Sequence, residues 1–311
     1  MPGKSSSSDS FPAAMKLSVI IVSFNQFDHL KAAIEALKAN PLPFTYEIIV
    51  VDNHSADDVQ EFLNDYFHDI RVIRNPANHG FGWANNRGAA VAKGEYLLFL
   101  NSDAEVIGQA VESMVQEMEK DRQIGALGPM LLNSDGSFQL SYGCKISLYG
   151  EFYQKTAAPL IEKWKCTWRP GDRILKKSAW VSGACLLTRK EIFAGQQPFD
   201  ENMFLYFEDH DLCLRLWAQD KKVVYYGGAK VRHHGGRSVA ALPGTMFEYR
   251  KSQLYMYQKH GHVLSLWLLK KYLKWKFTGK IRHLLHRSDA QSQDKKRMYE
   301  KIINLCGKKN S

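Results

Sequence analysis

The sequence predicts an α/β fold, with a mostly parallel central sheet flanked by helices and a helical C-terminal appendage. Three observations carry this. Apolar runs at 17–22, 46–51 and 96–100, and a shorter one at 70–73, lack the alternation of a half-exposed strand. Runs of this length suit strands buried on both faces, as in parallel sheets. Segments of helical spacing lie between them, and strand, helix, strand is the alternation of an open α/β sheet. Finally, three runs end in polar clusters: Ser23/Asn25, Asp52/Asn53/Ser55 and Asn101/Ser102/Asp103. Ligands of such sheets bind outside the carboxyl ends of the strands. One cluster alone reads as an ordinary turn; three on the same edge make a site.

Taken in order, residues 1–14 are Ser-rich without an apolar segment. They read as a disordered leader or a cloning remnant, with Met15 the expected natural start. After the first strand, Leu30, Ile34 and Leu37 recur at helical spacing. Gly80, Gly82 and Gly88 surround a helix start, and the run 96–100 is the central strand. A helix over 111–118 and a strand over 125–130 follow. Residues 139–178 are irregular and hold Tyr142, Tyr149, Tyr153, Trp164, Trp168, Arg169 and Arg173. They form either a wall facing a second substrate or an unpatterned connection. A strand over 180–188 precedes the segment 199–211, which leads into a helix burying Leu212, Cys213 and Leu216. A short strand over 222–226 comes before His233 and His234.

From Met246 the pattern is helical, and Leu266, Leu269, Leu273, Phe277, Ile281 and Leu284 form an apolar stripe. Lys270, Lys271, Lys274, Lys280 and Arg282 accompany it, as on a helix lying on an anionic membrane. Docking is the reading for the first part of this stretch, and membrane contact for Lys270 onward. The expected organisation is a catalytic domain over 15–240 and a basic helical extension over 241–311. The first divides into a nucleotide part to about residue 110 and an acceptor part over 111–240.

Composition narrows the function. A formal net charge of +10, concentrated toward the C-terminus, suits nucleic acid, anionic lipid or a phosphate-bearing small molecule. Five scattered cysteines with no CxxC pair suggest neither a disulfide framework nor a zinc site, and fit a reducing compartment. No run approaches the ~18 apolar residues of a membrane span. There is no GxGxxG after the first strand and no P-loop.

Glu208, Asp209 and Asp211 crowd three carboxylates into four positions at a helix start. One or two acids there would merely offset the helix dipole. Three, beside the aromatic approach 204–207, suggest that at least one is held for proton transfer. A lone His is more often a packed or capping residue. Placed with Asp103, however, His233 would complete an N/O donor set suited to Mn²⁺ or Mg²⁺.

Ser23-Phe24-Asn25, Val51-Asp52-Asn53-His54-Ser55, Asn78-His79-Gly80-Phe81-Gly82, Asn101-Ser102-Asp103, Ser182-Gly183-Ala184, Phe199-Asp200-Glu201, Glu208-Asp209-His210-Asp211 and the segment 233–238 occur in that order. Together they resemble family 2 glycosyltransferases, most of all the bacterial rhamnosyltransferase branch, over residues 17–259. The resemblance implies a GT-A fold and an inverting transfer from a nucleotide-diphosphate sugar of the dTDP or UDP type. The implied acceptor is a saccharide or lipid-linked saccharide of the cell surface. Carried over residue by residue, Asp52 would bind the pyrimidine, and Ser23, Asn25 and Asn78 would line the nucleotide pocket. Asp103 would be the metal carboxylate of a DxD-type motif whose first acid is here Asn101, which removes one negative charge. Asp209 would be the base, with Glu208 beside it, and His233 a further metal ligand; spacing leaves His234 as the alternative. The resemblance further implies a cytoplasmic enzyme, peripheral on the inner face of the membrane, with no nucleic-acid partner. Two competing readings are a sugar-nucleotide pyrophosphorylase, which lacks support without a Gly-rich phosphate loop, and a non-catalytic nucleotide- or nucleic-acid-binding module. The second gives no reason for carboxylates at the strand ends.

Overall fold

In a computed structural model, the chain is described over residues 14–145, 147–150, 156–157, 161, 175–235, 244–261, 263–285 and 289–307. Most of the expected leader (1–13) lies outside the described residues. So do Tyr153, Trp164, Trp168, Arg169 and Arg173 of the aromatic segment, and Gly236, Arg237 and Ser238.

The first half is a parallel sheet ordered β3-β2-β1-β4, built from β1 (Leu17–Ser23), β2 (Tyr46–Asp52), β3 (Ile70–Arg74) and β4 (Tyr96–Asn101). Crossovers run through α1 (Phe27–Lys38), α2 (Val59–Asn64) and α3 (Phe81–Val91). Helix α1 buries Leu30, Ala33, Ile34 and Leu37, the stripe visible in the sequence. Asp58 starts α2 by accepting the backbone N–H groups of Gln60 and Glu61. In register, Ser23 lies beside Asp52, and Val22 beside Asn101. The three polar strand ends therefore share one edge.

The second half is mixed, which corrects the expectation of a mostly parallel sheet. It contains β5 (Ala104–Ile107), α4 (Ala110–Lys120), β6 (Ile124–Leu132), β7 (Phe138–Gln139), β8 (Tyr142–Gly143) and β9 (Leu175–Lys177). Then come β10 (Trp180–Val181), β11 (Cys185–Arg189), α5 (Glu208–Ala218) and β12 (Lys222–His233). The sheet continues β4-β11-β6-β12-β5, with β11 antiparallel to both neighbours and β12 antiparallel to β5. Cys185 to Arg189 are all buried, and a run buried on both faces reads alike in either direction. The expected strand over 180–188 is broken at Ser182-Gly183-Ala184, with β10 pairing instead with β8. Strand β12 outruns the expected 222–226 because a register shift between Tyr226 and Lys230 lets it bend and continue beside β5.

Three helices follow: α6 (Thr245–His260), α7 (Val263–His283) and α8 (Ala290–Gly307). Leu266, Leu269, Leu273 and Phe277 of α7 are buried with Tyr299, Ile302 and Cys306 of α8 and with Leu254 and Tyr257 of α6; Ile281 and Leu284 pack at the margin. The whole stripe is a docking face, against the expectation that it meets a membrane beyond Lys270. A fully buried side chain of this size contributes about 1.5–3 kcal/mol, more than its exposure at an interface would return. Helix α6 packs in turn on the catalytic half. Met256 is buried with Met203 and Phe207, and the Tyr249 ring lies 5.2 Å from those of Tyr206 and Phe207. Asp211 of α5, fully buried, receives Arg215 at 2.8 Å, Lys259 at 2.7 Å and His260 at 2.6 Å. Among the described residues no helix is long and apolar enough to cross a membrane.

Candidate active site

One cavity is walled by Asn53, Asn78, Asn101, Asp103, Glu208, Asp209 and His233, with Gly183 and Tyr206 among its other lining residues. Each arrives by a different structural cause. Asn53 Nδ2 donates to Asn78 Oδ1 (2.8 Å) and to the Gly80 carbonyl (3.2 Å), clamping the turn that begins α3. Gly80 has φ +93°, and a Cβ there would overlap the Phe204 backbone, so only glycine fits. Phe81 N–H donates to the Phe204 carbonyl at 2.9 Å, joining the donor-side turn to the approach of α5.

That approach is strained. Tyr206 (φ 69°) and Phe207 (φ 70°) are consecutive aromatic residues in the left-handed region, at an ordinary cost of about 1–3 kcal/mol each. The packing of Tyr249 and Met256 holds them there. The effect is to aim Asp209 across the cavity at the Ser182-Gly183-Ala184 break. Its Oδ2 accepts Gly183 N–H at 2.9 Å, while Oδ1 faces His210 Nδ1 at 2.8 Å and accepts the His210 backbone N–H at 2.8 Å. The His210 ring is stacked on Trp180, centroids 4.1 Å apart.

The two adjacent carboxyls are driven apart. Burial pushes the Glu208 carboxyl well above its ordinary range, and the Asp209 charge beside it adds to this. Burial also acts to raise Asp209, but the His210 charge and hydrogen bonds from His210 and Gly183 outweigh it and hold Asp209 below its ordinary value. The site thus sets Glu208, pushed toward its neutral form, next to Asp209, pushed toward its ionised form, and 16% of the Asp209 side chain stays open. An ionised, partly accessible carboxylate with its orientation fixed can accept a proton.

On the other wall, His233 and Asp103 meet because β12 pairs with β5 in a register that sets His233 opposite Ala104, and His234 N–H donates to the Asp103 carbonyl at 3.0 Å. His233 Nε2 is 3.3 Å from Asp103 Oδ1 and 3.3 Å from Asn101 Nδ2, while its Nδ1 faces Gln139 Oε1 at 2.8 Å. The Gln139 oxygen accepts there, which puts a proton on Nδ1 and turns Nε2 toward Asp103. His234 is otherwise engaged, at 2.8 Å from both Ser134 and Glu105. Burial opposes ionisation of Asp103, but the hydrogen bond and charge of His233 hold its carboxyl below the usual range.

A carboxylate oxygen and an imidazole nitrogen 3.3 Å apart suit adjacent ligands of one divalent ion. Asn101 Oδ1, buried without a hydrogen-bond partner among the described residues, adds an oxygen nearby. Among the described residues no group of three or more His, Cys, Asp and Glu side chains that could hold a metal ion is present. Asp103 and His233 thus offer two donors, and an ion held there would need the rest of its shell from elsewhere.

Ser23, Asn25 and Asp52 do not line this cavity. Asn25 is spent on the loop, its N–H donating to Ser55 Oγ (2.9 Å) and its Oδ1 accepting Ala56 N–H (2.8 Å). Asp52 is fully buried. Its Oδ1 accepts Ser55 N–H at 3.0 Å and its Oδ2 lies 3.5 Å from the Arg74 guanidinium. Among the described residues Ser23 Oγ and Asp52 Oδ2 both lack hydrogen-bond partners. Sequence reasoning placed Asn53 on the site edge without a role and did not single out Gln139, Gly183, His210 or Trp180 as site residues. Asn53, Gly183 and His210 stand inside the ordered motifs; Gln139 and Trp180 carry no local signal.

A model of the family described as glycosyl transferase family 2 matches residues 18–193, more than half of the chain. The chain belongs to glycosyl transferase family 2. The match sets aside the pyrophosphorylase and non-catalytic readings: this is a glycosyltransferase. Its full-length similarity is to rhamnosyltransferases. It is 26% identical over 304 residues to the N-acetylglucosaminyl-diphospho-decaprenol L-rhamnosyltransferase of Mycobacterium tuberculosis, covering 91% of this chain and 96% of that one. To the rhamnosyltransferase WbbL of Escherichia coli it is 26% identical, covering 79% of this chain and 94% of the relative. A crystal structure of GalNAc-T7 with UDP, GalNAc and Mn²⁺ superposes with a TM-score of 0.56 at 17% identity, over 93% of this chain and 55% of that one. That likeness concerns the fold, which is of the GT-A type. The family 2 match ends at residue 193, so Asp209 and His233 of this glycosyltransferase both lie beyond it.

Proposed function

We propose that the chain is an inverting transferase moving a sugar, with rhamnose from a dTDP donor as first candidate, onto a saccharide or lipid-linked saccharide in cell-surface polysaccharide synthesis. The observation that carries this is one cavity bounded on one side by ionised Asp209 and on the other by the Asp103–His233 pair. The names of the two rhamnosyltransferase relatives support the sugar, and the decaprenol of the mycobacterial one supports a lipid-linked acceptor.

The acceptor hydroxyl gives its proton to Asp209 as its oxygen attacks the anomeric carbon from the face opposite the diphosphate. A single displacement inverts that carbon and needs no enzyme nucleophile. Glu208, pushed by burial toward its neutral form, keeps a second negative charge away from the incoming oxygen. Asp103 and His233 are the residues to hold Mn²⁺ or Mg²⁺, with Asn101 beside them. When bound, such an ion neutralises charge developing on the departing diphosphate. Asn78 and Asn53 brace the nucleotide wall. Ser23 Oγ and Asp52 Oδ2 are the groups on offer to the pyrimidine, which would have to displace Arg74 from Asp52. Asn25 acts by shaping the loop over them. The chain would work in the cytoplasm, at the inner face of the membrane.

A thermal-shift panel of nucleotide sugars with and without Mn²⁺ tests the reading. A dTDP or UDP sugar should raise the melting temperature, more so with Mn²⁺, and about 2.7 kcal/mol of stabilisation is expected at a hundredfold excess over Kd. No shift with any nucleotide sugar would refute it.

A further inference from the structure

The outer face of α7 is apolar, aromatic and basic, and none of the described residues covers it. Val263, Leu264, Trp267, Leu268, Tyr272 and Trp275 are exposed, Leu264 by 66% and Trp275 by 75%. At helical spacing, Leu264, Trp267, Leu268 and Trp275 fall opposite the buried Leu266, Leu269, Leu273 and Phe277. The docking face is therefore already satisfied, and two tryptophans on the other side have no folding role. Lys270, Lys271, Lys274, Lys276, Lys280 and Arg282 belong to the same helix, which contains no acidic residue. The Lys271 ammonium lies 5.6 Å from the Trp267 ring centre and that of Lys276 5.5 Å from Tyr272, so cations rim the aromatic patch.

We propose that this face of α7 lies on an anionic phospholipid bilayer. Tryptophan and tyrosine belong at the headgroup level, where one end of the ring is apolar and the other wet. The flanking cations would meet the lipid phosphates. A second copy of the chain would bring the same cations, Lys271 and Lys276 among them, to the interface and be repelled. A nucleic acid would use the cations but leave Val263, Leu264 and Leu268 in water. Only a charged, partly apolar surface uses both. The surface differs from the stripe expected in the sequence: the stripe holds the helix to the protein, and its opposite side is free for lipid. The assignment deepens the reading of a membrane-facing transferase and rests on it only for the expectation of a lipid-linked acceptor.

The test is co-sedimentation of the full chain with vesicles of equal parts phosphatidylglycerol and phosphatidylcholine, together with its tryptophan emission. Binding at low salt with a blue shift is expected, falling as salt rises and absent with phosphatidylcholine alone. Trp267→Gln with Trp275→Gln should lose the blue shift and most of the sedimented fraction. Lys271→Gln with Lys276→Gln should weaken binding by about fivefold per lysine. No binding at low salt, equal binding to phosphatidylcholine, or unchanged binding by both double variants overturns the proposal. So does a dimer that the tryptophan variant dissociates without any vesicle binding. Each variant is also given the sugar-nucleotide thermal shift. A retained shift with lost vesicle binding isolates the lipid contact; vesicle binding with no shift in the parent chain would fault the transferase reading alone.

Discussion

Asp209→Asn and Glu208→Gln make adjacent, near-isosteric changes with opposite expected outcomes. Asn keeps the size of Asp209 but removes its charge. It offers one acceptor oxygen where Asp209 accepts Gly183 N–H on one side and His210 N–H on the other, both within 2.9 Å. The amide nitrogen must then face a donor. Losing a positioned general base costs about 10²–10⁴-fold in rate, or roughly 3–5 kcal/mol of barrier. Burial pushes Glu208 toward its neutral form, so Gln is the closer mimic and transfer should run near the parental rate. Initial rates of transfer at saturating donor measure this, with donor affinity followed by calorimetry; affinity should be nearly intact in both variants. Because Asp209 is held below its ordinary value, the parental rate should stay flat through neutral pH and fall only on the acid side of about pH 4. An active Asp209→Asn would move the base elsewhere, and an inactive Glu208→Gln with an active Asp209→Asn would exchange the two roles.

Two further outcomes follow from the same geometry. Asp103→Asn or His233→Ala should abolish the Mn²⁺-dependent part of the sugar-nucleotide thermal shift while metal-free binding survives; His234→Ala should leave it alone, since both His234 nitrogens are engaged elsewhere. Asp211→Asn should destabilise the chain to urea by about 1.5–3 kcal/mol, because it weakens the charged hydrogen bonds that the buried carboxylate accepts from the partly exposed Arg215, Lys259 and His260. Burial opposes ionisation of Asp211, but His260, Lys259 and Arg215 hold its carboxyl far below the ordinary range. Its contribution is therefore present above the unfolded value of about 3.9 and is lost progressively as pH falls below it. An unchanged acid limb in Asp211→Asn would refute that account.

The donor half was legible because its signals are local. An apolar run followed by Asn, Ser or Asp names both a strand and the edge where it ends, so Asn101 and Asp103 could be placed from β4 alone. The direction of β11 was not legible, because five buried residues in a row carry no polarity. Nor was the buried state of Asp52: the motif that names it says nothing of Arg74, which reaches it from the end of β3. The α7 stripe shows the same limit. Periodicity found the six apolar positions but not what would cover them, and the partner surface comes from residues such as Ile302 and Tyr299 with a weaker pattern of their own. Gln139 was invisible for a simpler reason. Its role depends wholly on a ring that arrives 94 residues later.

Strand β12 acts as a ruler. Between Tyr226 and Lys230 it slips against β6 before running on beside β5, and everything past the slip is counted from there. One residue added or removed in that short span would turn His233 to the opposite side of the sheet. A guanidinium or a differently aimed imidazole, from Arg232 or His234, would then stand beside Asp103. A single-codon insertion far from the pocket could thus change how the enzyme handles a diphosphate, with every residue of its motifs still in place.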